Sequence, residues 1–80
     1  MKSRQGYKGY VIVARSHELQ DGRFSVELSV EEHDADGVME TEFYLPDTFT
    51  TQESAIEAGI QAGQQKIDLE FERGSAVENG

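Results

Sequence analysis

Two histidines lie among carboxylates in this chain and are its best candidates for acid–base work. His17 precedes Glu18, and His33 sits inside Glu31-Glu32-His33-Asp34-Ala35-Asp36-Gly37. An imidazole beside a carboxylate can take up or deliver a proton near neutral pH. Nothing in the sequence supplies a nucleophile elbow or an oxyanion loop, and 80 residues leave little volume for a pocket. Both histidines are therefore expected exposed, in or beside hairpin loops, and no enzyme is expected. The 31–37 run also clusters oxygen ligands before a glycine, as a cation loop would. The calcium-hand pattern demands further acids, a terminal glutamate and helical flanks. The flanks here read as strands, so neither a metal nor any other cofactor is expected. The glycines form no phosphate-loop spacing.

A second cluster is basic. Lys2, Arg4, Lys8 and Arg15 interleave with Tyr7 and Tyr10, a footprint that single-stranded nucleic acid can use through phosphate contacts and stacking. The rest of the chain argues against it. Seven Lys+Arg stand against sixteen Asp+Glu, for a net charge of −9 and a pI near 4.4. Residues 1–17 carry +4 with no acid, and everything from Glu18 onward carries −13. Nucleic-acid and membrane surfaces select for a basic face, so this composition argues against nucleic acid as a ligand and a membrane is not expected. A binding role for the basic arm, or acidic mimicry of DNA, stands as the alternative to a protein partner. No cysteine is present, which excludes disulfides and thiolate metal sites. No apolar run reaches the ~18 residues of a membrane span, and none follows Met1 as a signal core would. A soluble cytoplasmic protein is the expectation.

Hydrophobic periodicity places these residues on elements. Tyr10–Arg15 is rich in β-branched residues and reads as a first strand, announced by Gly6 and Gly9. Asp21-Gly22 is a strong turn signal. Arg23–Glu32 alternates cleanly, with Phe24, Val26, Leu28 and Val30 on one face and Ser25, Glu27, Ser29 and Glu31 on the other. Asp34–Gly37 reads as a four-residue hairpin loop. In the third strand, Val38–Leu45, Met39, Thr41, Phe43 and Leu45 face inward, while Val38, Glu40, Glu42 and Tyr44 face outward, and Pro46 ends it. Thr50-Thr51-Gln52-Glu53 fits a capping box opening a helix. Ile56, Ile60, Gly63, Ile67 and Phe71 then draw one apolar stripe. Gly59 and Gly63 each cost roughly 1 kcal/mol of helix propensity, which close approach to the sheet would offset. Gly74 reads as a C-cap.

The expected fold is α+β: a three-stranded antiparallel meander with one C-terminal helix on one face, β-β-β-α. Residues 1–73 are expected to form the single domain, with residues 74–80 expected as a disordered tail. One sheet face is then left uncovered. It carries Glu27, Glu31, Glu40 and Glu42, and a four-residue loop sets Glu31 opposite Glu40. A longer loop would pair Glu27 with Glu42. These acids either keep the sheet soluble or offer carboxylates to a basic partner. The first strand is apolar on both faces. Burying Tyr10, Ile12 and Ala14 turns Val11 and Val13 outward and keeps Arg15 from an unpaired burial. Exposed valines on an edge strand invite pairing with another chain, unless the N-terminal segment shields them through Tyr7.

Tyr7-Lys8-Gly9-Tyr10 before a strand, Asp21-Gly22-Arg23-Phe24 before a second, and Phe49-x-Thr51-x-x-Ser54-Ala55 opening a helix that closes on Ile67-Asp68 are similar to a group of small uncharacterised bacterial proteins. The similarity spans residues 7 to 68 and implies a β-β-β-α fold without an assigned activity. The element order also resembles HicB-type antitoxins, which implies a toxin as partner. Here Ser54 stands between the capping Glu53 and Ala55, and no DNA-binding extension follows the helix. The expected role is a bacterial protein-interaction or self-association module. Its candidate surface is Val11, Val13, Glu27, Glu31, Glu40, Glu42 and Tyr44, and its partner is another protein or a second copy bound through the first strand.

Overall fold

A computed structural model describes residues 1–71. Four strands, β1 (Lys2–Tyr7), β2 (Tyr10–Glu18), β3 (Phe24–Asp34) and β4 (Gly37–Tyr44), precede the helix α1 (Gln52–Lys66). The strands form one antiparallel sheet in the order β1-β2-β3-β4. The fold is α+β, a four-stranded meander followed by a helix packed against it.

The fourth strand corrects the expected three. Lys2–Tyr7 lacks apolar alternation, yet it pairs with β2 along its whole length, from Lys2 opposite Arg15 to Tyr7 opposite Tyr10. The connecting turn has Lys8 at φ 52° and Gly9 at φ 87°, the two positive values of a type I′ hairpin. Tyr10–Arg15 is consequently an interior strand, flanked by β1 and β3. Its expected edge position is wrong because β1 occupies that edge.

The core forms between one sheet face and α1. Ile12, Ala14, Val26, Leu28 and Val30 meet Ala55, Ile56, Ile60 and Ile67. The inward parity read for both the Tyr10 strand and the Phe24 strand is the observed one. α1 crosses β2 and β3 and approaches them closely through its glycines. A Cβ on Gly63 would lie 2.6 Å from Ile12 Cγ2, and one on Gly59 would lie 3.0 Å from Val26 Cγ2. The expected close approach is what these positions supply. Because α1 sits over the middle strands, β4 receives little cover. Met39 lies on the helix side as expected but is 66% exposed, whereas Phe43 and Leu45 border the core.

Local chemistry shifts two boundaries. The N-cap is Thr51, whose Oγ1 accepts from Ser54 N–H at 3.0 Å, one residue later than the Thr50 box. The β3–β4 register pairs Asp34 with Gly37, leaving a two-residue tip instead of a four-residue loop. Asp34 Oδ1 accepts from Asp36 N–H at 2.9 Å there. The stripe does run to Phe71, through a π-helical turn at Ile67–Phe71. Phe71 meets Tyr10 edge-on at 5.3 Å. The expected Gly74 cap and the tail at 74–80 lie outside the described residues.

Candidate interaction surface

The face of the sheet opposite α1 is built from the even residues of β1 and β4 and the odd residues of β2 and β3. Register arranges them in rows. One row is Lys2, Arg15, Glu27 and Tyr44; the next is Arg4, Val13, Ser29 and Glu42; the third is Gly6, Val11, Glu31 and Glu40. All seven residues of the candidate surface therefore share this face, joined by three of the four basic residues. Glu31 stands opposite Glu40, the register of the shorter loop.

Charge is graded across these rows. β1 contributes Lys2 and Arg4, and β4 contributes Glu40 and Glu42. Between them, the centre is dry: Val13 is 1% exposed and Ser29 is 0% exposed. The covering group is Arg4. Its Cα lies opposite Val13, yet its guanidinium reaches Glu31 on β3 with two contacts of 3.3 Å. The alkyl stem must cross β2 between Val11 and Val13, as long charged side chains do over apolar ground. The shielding expected from Tyr7 does not occur, because Tyr7 lies on the helix side, packed against the core and donating its hydroxyl to Asp68 at 3.0 Å.

The histidines join this network at its two ends. His33 Nε2 lies 3.0 Å from Glu31 Oε1, and His17 Nε2 lies 3.1 Å from Glu27 Oε1. The hydrogen bond from His33, and then that from Arg4, hold the Glu31 carboxyl below its ordinary value of 4.5, with desolvation opposing them. Lys8 is at the β1–β2 turn and bonds Asp68 at 2.8 Å. That bond, against desolvation and with help from Tyr7, lowers the Asp68 carboxyl from 3.8. The basic arm expected at the N-terminus is thus part of the sheet, with Arg4 and Lys8 engaged by carboxylates of the same chain.

Glu40 and Glu42 differ from Glu27 and Glu31. Among the described residues neither makes an ion pair or hydrogen bond, and both are exposed. Beside them on β4, Val38 is 61% and Tyr44 70% exposed. Sequence reasoning found these acids and Tyr44 but counted Val38 and Met39 only as strand residues. Alternation already turns Val38 outward, whereas the exposure of Met39 depends on where α1 ends its crossing, which alternation does not encode. Among the described residues, no three His, Asp or Glu side chains gather closely enough to hold a metal ion, and no helix is long and apolar enough to cross a membrane. Comparisons with protein-family models, with curated proteins and with solved structures find no match to this chain.

Proposed function

We propose that this chain is a non-catalytic protein-interaction module that presents the acidic β4 side of its open sheet face to basic groups of a protein partner. The observation that carries this reading is the pairing difference across the face. Glu31 and Glu27 are engaged internally, whereas among the described residues Glu40 and Glu42 stand unpaired between exposed Val38 and Tyr44. An apolar pair flanking two free carboxylates combines contact area with a charge filter. The basic residues favour no nucleic-acid reading, since Arg4 and Lys8 already face Glu31 and Asp68.

Titration of the 15N-labelled protein with an extended peptide alternating Lys and Val tests the reading. Amides of Glu40 and Glu42 should shift, and a peptide of the same length alternating Glu and Val should leave them unmoved. Equal response to both peptides, or to neither, would contradict it.

A further inference from the structure

The two edges of the sheet are complementary to each other. In an antiparallel pair, residues that exchange both backbone bonds alternate with residues that exchange none. Leu45 N–H donates to Val26 O, and Ser16 N–H donates to Met1 O. These bonds fix the phase: odd residues of β4 and β1 turn their backbone groups inward to β3 and β2. Even residues then turn theirs outward to the open edges. On β4 these are Val38, Glu40, Glu42 and Tyr44; on β1 they are Lys2, Arg4 and Gly6. The same even residues place their side chains on the open face. One edge therefore offers backbone bonding groups lined by acids, and the other offers them lined by bases.

We infer that β4 of one copy pairs antiparallel with β1 of a second copy, extending the sheet head to tail. This rests on the interaction reading above and names the occupant of the β4 edge. Successive strands in the meander alternate direction, so a second copy in the same orientation brings its β1 antiparallel to β4. Of the registers that match the outward backbone groups, the one that faces both bases with acids sets Lys2 opposite Glu42 and Gly6 opposite Val38. It also sets Arg4, whose guanidinium is held by Glu31 within its own chain, opposite Glu40. Opposite charges facing across a sheet attract, and like charges repel. Joining β4 to β4 instead sets Glu40 against Glu42, and joining β1 to β1 sets bases against bases. Only the unlike edges match.

The helix side agrees independently. In that register Met39 of one copy lies beside Gln5 of the next. Gln5 and Ser3 border a groove of about 480 Å³ between β1 and α1, with Ile56 and Ile60 among its other walls. Met39, 66% exposed in the single chain, is a flexible apolar side chain suited to such a space. A contact between different edges is heterologous: it leaves a free edge at each end of a pair and so adds further copies, in an open series or in a ring where the rotation closes.

Sedimentation at about 0.15 M salt, where the ~8 Å Debye length screens the overall repulsion of the acidic copies, tests the pairing. The average mass should rise with concentration up to about 1 mM, a range in which contacts below the standard interface size become populated. Lys2→Glu and Glu42→Lys should each weaken association by about fivefold, and mixing the two variants should recover it. Glu42→Lys changes the net charge from −9 to −7, so overall repulsion alone would give the opposite result. A monomer throughout, or association undiminished in Glu42→Lys, overturns the pairing. If the chain stays monomeric while the Lys/Val peptide still shifts Glu40 and Glu42, a foreign basic strand takes this edge and the interaction reading survives. Failure of both measurements rejects both.

Discussion

Glu31 is engaged from two sides, which explains why it is not available to a partner. It pairs with Arg4 and accepts from His33, while standing opposite Glu40 in the sheet. Arg4 in turn covers Val13, so one ion pair closes the centre of a face that no other element protects. Removing His33 by His33→Ala should raise the Glu31 carboxyl toward 4.5, measured by carbon NMR of the side chain, because that hydrogen bond is the largest cause of the shift. The sign for stability follows. Glu31 and Asp68 both titrate lower in the folded chain than in the unfolded one. Their contribution is present above about pH 4.5 and is lost as pH falls through the folded values. Thermal melts between neutral and acid pH should show this loss, and Lys8→Met should reduce the part due to Asp68.

At the scale of elements, packing is decided by two glycines and a short turn. Gly63 lets α1 approach β2 until a methyl group would overlap Ile12 Cγ2. Gly63→Ala should therefore destabilise by about 1–2 kcal/mol, the overpacking cost exceeding the roughly 1 kcal/mol gained in helix propensity. Gly59→Ala meets Val26 and Ala14 at 3.0 and 3.1 Å and should be closer to neutral; urea unfolding of both variants checks the order. These glycines were legible in the sequence, as were the faces of β2, β3 and β4, because alternation and the helical stripe record burial. β1 was not. Apart from Tyr7, which packs against the core, the residues of this strand are held by backbone bonds rather than by a buried face, and such bonds leave no apolar period. The Lys8-Gly9 turn was the available signal, though Lys is an uncommon occupant of a positive φ. Missing that hairpin moved the edge of the sheet onto Val11 and Val13. The acids at Glu40 and Glu42 were found because a two-residue alternation places them regardless of which strand lies at the edge.

For the whole molecule, the division of charge along the chain becomes a division across the sheet. On the open face the bases lie on β1 and at Arg15 of β2, the acids lie on β3 and β4, and Arg4 reaches across β2 to Glu31. This ordering explains how a chain with a net charge of −9 can carry one edge that attracts its own opposite edge. It also gives a use to three of the five large exposed apolar residues, since Val38, Met39 and Tyr44 all belong to β4. A protein using this edge only for solubility would gain nothing from keeping them there. The most direct measurement is the amide spectrum of the labelled chain followed on dilution from high concentration. The account predicts shifts at Val38, Glu40, Glu42 and Tyr44 and, in parallel, at Lys2, Arg4 and Gly6. Smaller ones are expected at Ile56 and Ile60, where α1 walls the groove beside Met39, with the rest of the helix unmoved. A spectrum that does not change, or changes centred on α1, would contradict it.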